Sequence, residues 1–217
     1  MTFPVVLSLK VAFYALLVAA PLGIVVAWLQ SRVNYVGKRL VDAIILLPLV
    51  LPPSVIGYFL IIGLGHAGLF GRFLGAMGVT LAFTPWAAVI ASAVVSLPII
   101  VKTAQPAIES VPVDLEDVGA TLGLAPLGVF LRITLPCAWR GIVAALSLGF
   151  ARGMGEFGAT LMFAGYAPDA TNTMPLEIYF AYQRGDDEAA WVYVGILSVA
   201  SLLIVAIASA LTPRRAR

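Results

Sequence analysis

Charge is scarce in this sequence: Asp, Glu, Lys and Arg make up 11% of its 217 residues, under half of the roughly 25% usual in a soluble domain. Cysteine and histidine occur once each, as Cys137 and His66. A lone cysteine excludes an internal disulfide, and with a lone histidine there is no Cys/His metal cluster. No G-x-x-x-x-G-K-[ST] phosphate loop is present, so the chain itself is expected to bind no nucleotide. A net charge of +2 is too small to suggest nucleic acid. Apolar residues fill the space instead: AVILMFWYC reach 61%, and the mean hydropathy is +1.03. A globule of this size cannot hide that much apolar surface from water, which excludes a soluble enzyme along with disorder, collagen and coiled coil. The natural solvent is a bilayer, and the chain reads as an all-α polytopic membrane protein with one transmembrane domain over residues 1–217.

A spanning helix needs about 20 mostly apolar residues. Five stretches qualify: Val11–Leu29 (back to Phe3 if Lys10 snorkels), Ala43–Gly65, Trp86–Val101, Ile142–Ala164 and Trp191–Leu211. The first lacks the basic start and short apolar run of a signal peptide, and is expected to stay as a span. Five spans put the two ends on opposite sides. Alternate connections hold Arg32, Lys38, Arg39, Lys102, Arg132, Arg140, Arg214, Arg215 and Arg217, against Lys10, Arg72 and Arg184 on the other side. The richer set belongs in the cytoplasm. The N-terminus is therefore expected outside and the C-terminus inside. The acidic 165–190 loop, with Asp169, Glu177, Asp186, Asp187 and Glu188, agrees.

Two features go beyond a plain bundle. Pro48, Pro52 and Pro53 remove three backbone donors from the second span, and freed carbonyls at that depth are tolerable only against protein or water. A helix lining a pathway and a kink that helps packing both remain open. In the fourth span, Arg152 lies 12 residues past Arg140, on the order of 18 Å deep. Glu156 follows at i+4, on the same face, so the two can pair with each other. Charge at that depth costs at least roughly 2.5–3.5 kcal/mol and faces a bundle interior or a wet cavity. The pair either locks helices together or serves conduction or gating. Glycines 149, 153, 155 and 158 around it allow close helix approach.

The stretch from Lys102 to Arg140 is expected to be a cytoplasmic loop, too long for a plain connector. It reads as two short amphipathic helices, the first over roughly Pro112–Leu122, with Asp114 as N-cap and Asp117 at the third position. Gly123 stops it and Pro126 follows. Val118, Thr121 and Leu122 form one face. A helix lying on anionic lipid wants Lys or Arg on its polar face; this one carries Asp114, Glu116 and Asp117. Docking to a cytoplasmic partner is the better reading.

In this loop Asp117-Val118-Gly119, then Gly123, then Ile133 and Leu135-Pro136 resemble the signature of ABC importer permeases: Glu-Ala-Ala, three residues, Gly, nine residues, Ile, one residue, Leu-Pro. Both gaps agree. The first three positions depart from it, and Leu115-Glu116-Asp117 resembles the offset version of the oxyanion branch. Gly149-Phe150-Ala151-Arg152-Gly153-Met154-Gly155-Glu156-Phe157-Gly158-Ala159-Thr160-Leu161 is similar to a segment shared by molybdate and sulfate/thiosulfate permeases, with a Gly-Ala-Thr ending nearer the molybdate form. Leu47-Pro48 through Pro52-Pro53-Ser54-Val55-Ile56-Gly57-Tyr58, and Gly65-His66-Ala67-Gly68, resemble molybdate permeases too. The similarity covers about residues 5–210.

The resemblance implies a type I importer permease in the cytoplasmic membrane. It implies a homodimer, each copy binding a cytoplasmic ATPase subunit, with an extracytoplasmic oxyanion-binding protein delivering cargo. ATP is used by the ATPase, and no cofactor is expected on this chain. Glu116, Asp117, Val118, Gly119, Ala120, Leu122 and Gly123 would form the ATPase-coupling segment. Pro52, Pro53, Ser54, Arg152, Glu156 and Thr160 would belong to the pathway or its gate. Arg152–Glu156 is expected to hold gate helices, since Glu156 would largely cancel the field Arg152 offers a dianion. The same machine with sulfate, thiosulfate or tungstate as cargo stays open, as does, further off, a secondary transporter. That class expects inverted repeats and more coupling acids. A membrane-embedded enzyme would lack metal ligands and a partner acid for His66.

Overall fold

The computed structural model describes residues 2–211, and among them the regular structure is helical throughout. Helix α1 covers Thr2–Arg32, α2 Lys38–Val50, α3 Pro53–Leu64, α4 Leu69–Ala76, α5 Pro85–Glu109 and α6 Val113–Thr121. A short α7, Pro126–Val129, passes through a π-helical turn, Phe130–Thr134, into α8, Leu135–Met154. Then come α9, Gly158–Ala164, α10, Met174–Gln183, and α11, Asp187–Leu211. Arg214, Arg215 and Arg217, which entered the charge argument, lie outside the described residues.

Four helices are long and apolar enough to cross a membrane: α1, the α7–α8 unit over Pro126–Met154, α5 and α11. The second expected span, Ala43–Gly65, is not one rod. It is α2 and α3, bent by 110° at Leu51–Pro52. Pro52 and Pro53 cannot supply the donors that would carry α2 onward, and Pro53 instead starts a new helix, where its missing N–H costs nothing. The pair still runs from one end of the bundle to the other. At one end Asp42 of α2 pairs with Lys102 of α5. At the other, Leu60, Ile61 and Leu64 of α3 pack on the cluster holding Ala82, Ala87 and Phe163. Counted as one crossing, it makes five.

The centre of the bundle is α5. Its inner faces are built from small residues: Ala12, Ala15, Ala19 and Ala27 of α1, Ala87, Ala88, Ala91 and Ser92 of α5, and Ala138, Ala144 and Ala145 of α8 are all buried. Between helices already in lipid, no hydrophobic force favours large apolar contacts, so close backbone approach and dispersion do the joining. Helix α11 is the opposite case: Leu202, Leu203, Val199 and Ile207 are exposed, as suits a face turned to lipid.

Three expectations need correction. The fourth span is not a helix over Ile142–Ala164: α8 ends at Met154, and α9 starts afresh at Gly158. The 102–140 stretch, expected to hold two short helices, instead takes in the end of α5 up to Glu109, then α6, and from Pro126 the helix that continues into α8. The proposed capping box is absent. Pro112 stands at the N-cap of α6, without a side-chain cap, and Asp114 lies within the first turn. There it still meets the positive end of the helix dipole.

Candidate functional site

Two broken helices meet at mid-depth. A Cβ placed on Gly153 would stand 3.2 Å from Ser96 Oγ and 3.9 Å from Ala12 Cα, which sets the end of α8 level with the middle of α5. Beyond Gly155 the chain breaks, and α9 leaves alongside α3. A Cβ on Gly158 would lie 3.1 Å from Pro53 Cβ and 3.2 Å from the Ser54 nitrogen. One turn on, a Cβ on Gly57 would lie only 2.6 Å from Met162 Cβ and 2.9 Å from Ala159 Cα. The two half-helices therefore run side by side from two adjacent breaks to the far end, where Phe83 N–H donates to Phe163 O at 3.0 Å.

Arg152 and Glu156 join across this break. Arg152 Nη1 stands 2.7 Å from Glu156 Oε2. They do so not as neighbours on one continuous helix but from the last turn of α8 to the entry of α9. Glu156 Oε1 accepts the Ala159 N–H at 2.8 Å, satisfying one of the orphan donors at the start of α9. Both carboxylate oxygens are thus committed, and the Glu156 side chain is 1% exposed against 28% for Arg152. The acid is a fixture of the joint, while the guanidinium keeps an open side. Pro52, Ser54 and Gly155 are exposed beside it, whereas Thr160 is buried in the packing of α9. The structure thus brings Pro52, Pro53, Ser54, Arg152 and Glu156 to one joint and sets Thr160 behind its surface.

At the end rich in Lys and Arg, α6 carries the other predicted set. Asp117, Val118, Ala120, Leu122 and Gly123 are exposed, and with Val113, Leu115 and Leu127 they leave an apolar surface uncovered. Gly119 instead faces inward: a Cβ there would fall 2.3 Å from Ile133 Cδ1, so the residue at the signature's second alanine position and the Ile of the signature are partners in packing. Gly123 stops α6 at φ +88°, a region L side chains avoid.

Glu116 also turns inward. Its Oε2 lies 2.9 Å from Arg32 Nε, and its Oε1 accepts Arg32 Nη2 at 3.1 Å and the Thr134 hydroxyl at 2.6 Å. Arg32 Nη2 further donates to the carbonyls of Ile108 at 2.9 Å and Val111 at 2.8 Å. Sequence reading weighed Arg32 only as a charge and missed Thr134. Arg32 and Glu116 are 84 residues apart, so no spacing rule links them. Thr134 carried no local signal either, because the π turn that presents it is visible only in the structure.

At the opposite end, Glu177 of α10 gathers Asn172 Nδ2 at 2.9 Å, Tyr166 Oη at 3.1 Å and Arg184 Nη2 at 2.7 Å. Burial pushes its carboxyl up, but these hydrogen bonds together outweigh burial and hold it below the usual carboxylate range. The Arg184 guanidinium is held above its ordinary value by Glu177 and Tyr166. A ring contact, Phe157 to Tyr179 at 5.2 Å, connects this end to the mid-depth joint. Among the described residues no group of three or more His, Cys, Asp or Glu is placed to hold a metal ion.

Known proteins sharpen this picture. The chain is 42% identical over 201 residues to the molybdenum transport system permease protein ModB of Escherichia coli K12, covering 92% of this chain and 88% of that protein. It is 34% identical to the sulfate transport system permease protein CysT of Synechococcus elongatus, covering 95% of this chain and 76% of the relative. Its fold matches a chain of the bacterial alginate ABC transporter solved with its alginate-bound periplasmic protein, with a TM-score of 0.74 at 20% identity, over 97% of this chain and 77% of that one. The family model for the binding-protein-dependent transport system inner membrane component matches residues 19–217. The chain belongs to that family of membrane permeases.

Proposed function

We propose that this chain is the membrane-spanning subunit of an ATP-driven importer that carries molybdate into the cell. The observation that carries the reading is the 42% identity to a molybdenum permease over nine-tenths of the chain, against 34% to a sulfate permease.

In this reading the basic end is cytoplasmic, with the N-terminus outside and the C-terminus inside. The exposed apolar face of α6 docks a separate ATPase subunit, which supplies the nucleotide site. Its acidic residues make that face unsuited to anionic lipid, and Val118 and Leu122 give it the uncovered apolar area expected of a partner surface. The Glu177 end receives an oxyanion-binding protein. Two copies of the chain enclose the pathway, with the exposed breaks at Pro52–Ser54 and Gly155 facing it. Irregular backbone at membrane depth is stable where it lines a water-filled space. Closure of the ATPases moves α6, and the half-helices reorient about the breaks. Arg152–Glu156 holds α8 to α9 through that motion, and its near-cancelling charges leave only a modest field for a dianion.

The test is ATP-dependent uptake of radiolabelled molybdate by vesicles holding this chain, its ATPase and its binding protein, with sulfate in large excess as competitor. Uptake that survives sulfate supports the reading. Uptake abolished by sulfate makes sulfate the cargo, and no uptake of either anion sinks the importer assignment.

A further inference from the structure

Glu116 occupies the offset acidic position of the signature, and the expectation was that it meets the ATPase. Its geometry says otherwise. The Glu116 side chain is 12% exposed and that of Arg32 16%, while the neighbouring Asp117 and Val118 are open. One carboxylate holds two elements: the guanidinium at the end of α1 and the hydroxyl of Thr134 in the π turn that leads into α8. The same guanidinium takes the carbonyls of Ile108 and Val111, where α5 ends and turns into α6. Three crossing helices, α1, α5 and α8, are thus tied at one point to a helix of nine residues.

The surroundings make this a stiff joint. A guanidinium is planar, and Arg32 Nη2 hydrogen-bonds both the Glu116 carboxylate and the carbonyls of Ile108 and Val111, so these partners together fix its orientation as well as its position. Beneath it, Gly119 lets α6 sit directly on Ile133 of the π turn. Elsewhere α6 is thinly attached, for Gly119 is its only buried residue. A push on the exposed face of α6 therefore reaches the membrane helices through the Gly119–Ile133 contact and through the charge-assisted bonds of Glu116.

We infer that Arg32, Glu116 and Thr134 form the strut that converts displacement of the docking helix into movement of the membrane helices, Arg32 being the positioning residue that holds it. This rests on the importer reading above. It differs from that reading in assigning Glu116 to transmission inside the chain and not to contact with the ATPase.

The strut predicts uncoupling, not loss of assembly. The assembled complex of this chain, its ATPase and its binding protein is reconstituted in vesicles, and three quantities are read: ATPase captured, ATP hydrolysed, and molybdate taken up per ATP. In Arg32→Lys and Glu116→Gln, capture and hydrolysis should persist while uptake per ATP falls about tenfold, the scale of losing one charge-assisted hydrogen bond. The exchanged pair, Arg32→Glu with Glu116→Arg, should recover part of the ratio. An unchanged ratio in both single variants overturns the strut. So does loss of captured ATPase, which would return Glu116 to the interface, or an equal fall in hydrolysis and uptake, which is a mere loss of fold. If the wild-type complex captures no ATPase, the importer reading falls and the strut falls with it.

Discussion

The chain holds two Arg–Glu pairs that look alike as distances and differ in everything else. Arg152–Glu156 is local, four residues apart, and bridges a break at mid-depth. Arg32–Glu116 is 84 residues long in sequence and closes the end of the bundle. In the first, the acid is sealed and the base half-open. In the second, both are mostly buried and a third side chain, Thr134, shares the carboxylate. One pair joins two half-helices where the backbone has let go, while the other ties the ends of separate helices to α6 at a single point.

The largest effect is expected at Arg32. Arg32→Ala leaves the Glu116 carboxylate without its charge partner and frees two carbonyls, a loss of about 3 kcal/mol, the low end for a buried pair because the site borders water. The expected result is a lowered Tm in detergent and faster amide exchange over residues 108–134. Glu156→Ala comes next. It removes both the ion pair and the acceptor of the Ala159 N–H, at about 2 kcal/mol, with exchange rising in α9 and leaving α6 untouched. If either substitution loosens both regions equally, the two pairs are not separate devices.

Finer changes sharpen the contrast. Arg152→Lys keeps the charge and loses the planar fork, so transport should fall with ATPase capture unaltered; transport at the wild-type level would contradict a pair that holds gate helices. Gly57→Val forces α3 away from the Ala159 backbone and should cost about 1–3 kcal/mol, read as a Tm shift. The smallest effect belongs to Glu177. Its carboxyl sits below the ordinary range, so its contribution is full above about pH 4.3. That contribution fades as pH falls through the lower folded value. Amides of residues 165–185 should lose protection in that acid window, and Glu177→Gln should remove the dependence.

Much of this was legible in the sequence where the physics is local. Apolar length marked the crossings, Pro52-Pro53 marked a disrupted span, and Gly123 marked the end of α6. The i,i+4 spacing of Arg152 and Glu156 found the pair, although it suggested a continuous helix. Nothing local foretold the stop at Gly155, because a glycine in a membrane helix more often serves packing, and only the neighbouring break at Pro53 gives the second one a partner. Arg32, Thr134 and the Asp42–Lys102 contact were out of reach for the same reason: each links elements far apart in sequence. Glu116 shows the converse. The signature pointed to it as a contact residue of α6, but one turn of a helix decides which face a residue takes, and it faces in.

The central claim is that the two adjacent breaks line a water-filled pathway, and one labelling experiment addresses it directly. In a Cys137→Ser background, Ser54→Cys and Thr160→Cys are challenged with a membrane-impermeant thiol reagent in right-side-out and inverted vesicles, with and without ATP. Ser54→Cys should react from one side or the other and change sides with nucleotide, while the buried Thr160→Cys stays silent. A Ser54→Cys that is inert from both sides in both states would place that break in lipid or sealed packing, and the pathway account would be wrong.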